Sequence, residues 1–75
     1  MVNWKEYIHS DPNILLGKPV IIGTRISVEL ILELLAEGWT QEMILDSYPN
    51  VTEQHIKAVF AYTKESVEND RFFSD

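Results

Sequence analysis

The 75-residue chain has no cysteine. That absence removes disulfide stapling, thiolate nucleophiles and cysteine-based zinc or redox chemistry. No apolar run approaches the roughly 20 residues needed to cross a bilayer. The opening MVNWKEYIHSDPN has no basic segment running into an apolar core, so no signal peptide is expected. A soluble, cytoplasmic protein is the default expectation. Basic residues are also scarce, with 6 Lys and Arg against 12 Asp and Glu and a net charge of −6. A balance of that sign opposes bulk, sequence-independent affinity for nucleic acid. Histidine occurs only as His9 and His55, a poor metal set without clustered carboxylates. No Ser-His-Asp or Cys-His order with a supporting glycine elbow is present. Catalytic residues, metal ligands and cofactors are therefore not expected.

What is present is one small domain of 75 residues, without repeat, linker or low-complexity tract. A chain this short buries only about 60% of its unfolded surface, which favours self-association or a partner chain. Charge is unevenly placed. Residues 1–27 carry Lys5, Lys18 and Arg25 against Glu6 and Asp11, whereas the other ten acids lie in 28–75. An acidic C-terminal part of this kind suits a basic protein partner.

Residues 1–27 read as an extended arm or a short β-hairpin. Asp11-Pro12-Asn13 is a turn signal, and Ile14-Leu15-Leu16 and Val20-Ile21-Ile22 are β-suited runs separated by Gly17-Lys18-Pro19. Pro19 belongs at a strand start or edge, since it has no N–H to donate. Ser27 is a natural N-cap for a helix over 28–37, with Gly38 as its left-handed terminator. Thr40 caps a short helix over 41–47, ended before Pro49, and Thr52 caps a longer one over 53–69. Residues 70–75 form a C-terminal tail. The expected class is mainly α: a trihelical, helix-turn-helix-like domain behind that arm.

Helical periodicity sorts the faces. Val28, Ile31, Leu32 and Leu35 share one face of the first helix, and Glu29, Glu33 and Glu37 the opposite one. Leu30 and Leu34 fall outside both, so either the N-terminal hairpin or another chain covers them. On the third helix Ile56, Val59, Phe60, Thr63 and Val67 form the expected core stripe. Gln54, Lys57, Ala58 and Ala61 face outward, where a recognition helix would meet the major groove. A solvated helix face explains the same residues. Phe72 and Phe73 are candidate partner anchors, with packing onto Trp39 or Tyr62 as the alternative.

The stretch GKPVIIGTRIS, residues 17–27, has two glycines but neither phosphate-loop spacing, so nucleotide binding is disfavoured. Lys18, Thr24 and Arg25 remain as arm contacts, toward a carboxylate of the fold, a partner or phosphate.

The longer run GKPVIIGTRISVELILELLAEGWTQEMILDSYPNVT resembles the DUF433 family over about residues 8–62. The resemblance rests on the Asp-Pro turn, Gly-Lys-Pro-Val-Ile, Gly23-Thr24-Arg25-Ile26, the apolar helix ending in Ala-x-Gly, and Tyr48-Pro49. Two positions depart from the family pattern, Leu16-Gly17 in place of Gly-Gly and Ile22 in place of a polar residue. The resemblance implies a small antitoxin with a helix-turn-helix-like trihelical fold, often encoded beside a PIN-like ribonuclease toxin. It further implies toxin binding, operator DNA as a second target, and a homodimer. The alternative from the residues alone is a homodimeric protein-interaction module that binds no DNA.

Overall fold

The computed structural model describes residues 2–70. A 3₁₀ turn at Trp4–Glu6, capped by Asn3 accepting from the Lys5 N–H, leads into β1 (Ile8–Ser10). β1 pairs antiparallel with β2 (Pro19–Ile21) in the register Ile8 to Ile21, His9 to Val20 and Ser10 to Pro19. Three helices follow: α1 (Val28–Ala36), α2 (Gln41–Ser47) and α3 (Glu53–Asp70). The domain is the expected trihelical one with an N-terminal hairpin.

The hairpin is built from a different first strand than the apolar runs suggest. Residues 14–16 do not pair with 20–22. Instead Leu15–Gly17 is a tight turn, and all three residues have left-handed φ values of 47°, 58° and 84°. Asp11 explains the displacement. Its carboxylate accepts from the Asn13 N–H at 2.9 Å and its carbonyl from the Ile14 N–H at 2.9 Å. The local turn thereby consumes the backbone groups that a strand starting there would need. Pro19 begins its strand, where its missing donor is harmless.

Helix boundaries follow capping chemistry. Ser27 Oγ accepts from the Leu30 N–H at 2.9 Å, and Thr40 Oγ1 from the Met43 N–H at 3.2 Å. α1 ends on Gly38 at φ 100°, with Trp39 N–H to the Leu34 carbonyl and Gly38 N–H to that of Leu35, the paired bonds of a Schellman turn. At α3, Thr52 Oγ1 accepts from the His55 N–H while His55 Nδ1 accepts from the Thr52 N–H at 3.0 Å. His55 thus takes the place of the glutamate in a capping box.

The core joins Ile8, Val20 and Ile21 of the hairpin to Val28, Ile31 and Leu34 of α1, Ile44 of α2, and Val51, Ile56, Ala58 and Val59 around α3. Leu34 is therefore a core residue, and Leu30 is half-buried against the same cluster. The wide apolar arc of α1 is covered from within the chain. α3 is rotated by roughly a quarter turn from its expected phase: Ala58 is fully buried, whereas Phe60 and Val67 are exposed. The cause lies at the other end of the sequence. Trp4 packs edge-on to Tyr62 at 4.8 Å and its indole N–H donates to the Glu65 carboxylate, while Tyr7 meets His55 edge-on at 5.7 Å. The N-terminal aromatics bury the Tyr62 side of α3 and so turn Phe60 outward.

Candidate interaction surface

Gly23-Thr24-Arg25-Ile26 forms the joint between β2 and α1. Gly23 adopts φ 83°, which a side chain would strain. The half-buried Thr24 hydroxyl donates to the Ile21 carbonyl at 2.8 Å and accepts from the Ile26 N–H at 3.0 Å. Ile21 N–H in turn bonds the Ile26 carbonyl at 2.9 Å, closing the joint. Thr24 is thus committed inside the fold, and it is not presented as an arm contact.

Lys18 holds the arm to α1 through an ion pair with Glu29 at 2.9 Å. Both side chains are more than half exposed, so the pair is worth about 0–1 kcal/mol. Arg25 is exposed, and among the described residues no salt bridge to it is found. The tie between arm and acidic helix that Arg25 was a candidate for is made by Lys18.

The four residues expected to face the groove separate. Gln54 and Lys57 are exposed, Ala61 is half-buried, and Ala58 lies in the core, unable to touch any partner. Leu34 is likewise withdrawn, with Leu30 only partly accessible, and Phe72 and Phe73 lie outside the described residues. No group of three or more potential metal ligands occurs among the described residues. No helix among them is long and apolar enough to cross a membrane.

Two surfaces take the place of that set. One is acidic: Glu29, Glu33 and Glu37 along α1, with Glu42 and Asp46 on α2, are all exposed. The other runs along α3, where Phe60 is 50% and Val67 60% exposed. Phe60 and Ala61 share an open groove of about 310 Å³ with Val2, Lys57 and Lys64. Sequence periodicity assigned Phe60 and Val67 to the core. The missed signal was Trp4, an aromatic far away in sequence with a claim on the same helix.

His55 links fold to pH. Burial pushes its imidazole below the ordinary value of 6.5. The Thr52 N–H aimed at Nδ1 requires that nitrogen to carry a lone pair, so the neutral ring is the one that caps α3.

A family model described as "Protein of unknown function (DUF433)" matches residues 8–63. The chain belongs to DUF433. A structure of a DUF433 member from Anabaena variabilis ATCC 29413 superposes with a TM-score of 0.77 at 26% identity, covering 91% of this chain and 68% of that one. The uncharacterized protein y4eO of Sinorhizobium fredii (strain NBRC 101917 / NGR234) is 32% identical over 60 residues. That alignment spans 80% of the present chain but 27% of y4eO, so this DUF433 chain matches about a quarter of the longer protein.

Proposed function

We propose that this DUF433 protein is the antitoxin of a toxin–antitoxin pair and acts by binding and covering a PIN-like nuclease. The observation that carries the reading is the number of exposed acids on and next to α1 and α2, where Glu33, Glu37, Glu42 and Asp46 join the Lys18-paired Glu29. A nuclease that handles RNA presents basic side chains to phosphate, and an acidic domain complements that surface. Such complementarity mainly raises association rate and sets partner choice. Operator binding is the secondary part of the proposal and falls to Gln54 and Lys57, the exposed pair at the start of α3. Glu53 beside them and the net charge of −6 weigh against a strong phosphate contribution.

Co-expression with a neighbouring PIN-like reading frame is the test. The expected result is rescued growth and a co-purifying complex that weakens with salt. Charge reversal at Glu33 and Glu37 should weaken binding at least about tenfold. Failure to form a complex, or affinity indifferent to both salt and reversal, refutes the protein-binding reading. A shift assay with the chain's own upstream DNA at two salt concentrations tests the operator part separately: specific binding with a steep salt slope supports it, and no binding at low salt removes it.

A second reading, a self-associating module without a nucleic-acid role, is favoured by the exposed apolar residues of α3.

A further inference from the structure

Leu15 and Leu16 both adopt left-handed backbone, at φ 47° and 58°. That conformation crowds the Cβ of a non-glycine residue against the following carbonyl, so both leucines are strained. Backbone bonds hold the turn closed, from the Gly17 N–H to the Ile14 carbonyl at 3.0 Å and from the Lys18 N–H to that of Leu15 at 3.2 Å. Inside the fold the strain at position 16 gains nothing, because the side chain is 95% exposed. Glycine or asparagine would complete the same turn with less strain and no apolar surface in water. A lone surface leucine on relaxed backbone needs no explanation. One that a strained, hydrogen-bonded turn lifts into solvent points to a contact outside the chain.

We propose that Leu16 is the apolar anchor by which this chain holds its protein partner, entering a leucine-sized pocket within a basic surface. Its place in the fold decides the occupant. Lys18, two residues on, pairs with Glu29 in the first turn of α1 at 2.9 Å and sets the Leu16 turn beside the N-terminal end of that helix. Glu33 and Glu37 follow Glu29 at four-residue steps, roughly 6 Å each along the axis, and both are exposed. The leucine therefore stands at one end of the acidic row. Lys18 offsets Glu29 there, so the net negative charge begins one turn away, at Glu33. Leu15, Leu16, Lys18 and Ser27 also border an open depression of about 250 Å³, which seats the rim of the partner's pocket.

Resting on the protein-binding reading proposed above, this assignment divides the work between the two features. The acids steer the partner in and select it by charge. Leu16 then slows its departure, since docking removes a whole apolar side chain from water. Because the turn is already closed by backbone bonds, little conformational freedom is lost when it docks.

Binding kinetics of the full chain with the product of the neighbouring PIN-like reading frame, at two salt concentrations, test the anchor. L16N keeps a residue that tolerates the left-handed turn and removes the apolar side chain. It should raise the dissociation rate at least about tenfold, with the association rate and its salt slope kept within about twofold. L16M, apolar and of similar volume, should recover most of that loss. E33K/E37K should instead slow association and flatten the salt slope. The free L16N chain should unfold at or above the wild-type urea midpoint, so that weaker binding reports the lost contact and not a lost fold. A wild-type complex whose dissociation is indifferent to L16N, or an L16M no better than L16N, overturns the anchor and leaves the acidic reading standing. A free L16N chain that unfolds well below wild type assigns Leu16 to the fold and overturns the anchor equally. Failure of the wild-type chain to form a complex overturns both.

Discussion

Replacing Thr24 by valine tests whether the Gly23–Ile26 joint is framework, as its bonding indicates. Valine keeps the branched shape but removes the hydroxyl that serves both the Ile21 carbonyl and the Ile26 N–H. The two losses are unequal. The Ile21 carbonyl still accepts from the Thr24 N–H at 3.0 Å, so it remains paired. The half-buried Ile26 N–H loses the hydroxyl and must compete for water from inside the joint. One lost hydrogen bond is worth about 0.5–1.5 kcal/mol, and an orphaned donor costs about 1–3 kcal/mol. Partial exposure of Ile26 puts T24V near the lower part of that combined range, about 2 kcal/mol. With a urea slope of about 1 kcal/mol/M, the unfolding midpoint should fall by about 2 M with the slope unchanged. In thermal unfolding the loss is roughly 10 °C. T24S retains the hydroxyl and should recover most of the deficit. A T24V midpoint within about 0.3 M of wild type would refute the framework account, and the hydroxyl would then have to act outside the fold.

Ala58→Asp places a charge in the core and should cost at least about 3 kcal/mol, whereas Gln54→Ala and Lys57→Ala should stay within about 0.5 kcal/mol, all read by urea unfolding of the monomer. Equal, small effects at the three positions would restore Ala58 to the outward face. For His55 the sign follows from its lowered folded-state pKa: the unfolded chain binds the proton more readily, so the stabilisation is complete above the unfolded value near 6.5 and declines as pH falls below it. An unfolding series from pH 8 to 5 should show that decline in wild type and a shallower one in H55Q. Leu16 is 95% exposed at φ 58°, so L16G loses almost no packing and relieves left-handed strain. A gain of about 0.5–1 kcal/mol is expected after the entropic cost of glycine, again from the urea midpoint. A destabilised L16G would mean that Leu16 makes a contact the monomer does not contain.

Local signals carried the element list because caps act within one turn of chain. Ser27, Thr40 and Thr52 each cap the helix their position suggested, and Gly38 terminates α1. The hairpin was legible only as a category. Its second strand is near the expected one, but its first is Ile8–Ser10, because Asp11 commits the following residues to a turn. Of the candidate surface, Gln54 and Lys57 lie outside as expected and Ala58 lies in the core against expectation, while Leu34 and Thr24 take the alternatives inside the fold that the residues had left open. Ala58 and Leu34 are claimed by core neighbours whose approach depends on how elements pack, whereas Thr24 is held by bonds within its own turn, to Ile21 and Ile26.

By itself, then, the sequence determined a small cysteine-free acidic domain, three capped helices, a preceding arm and the DUF433 pattern, since composition, capping and short-range turns need no tertiary partner. Tertiary structure decided which face of α3 meets solvent. The apolar arc of α3 is wide enough to accept more than one phase. Trp4 and Tyr7, folded back from the other end of the chain, select the phase that buries Ala58 and exposes Phe60.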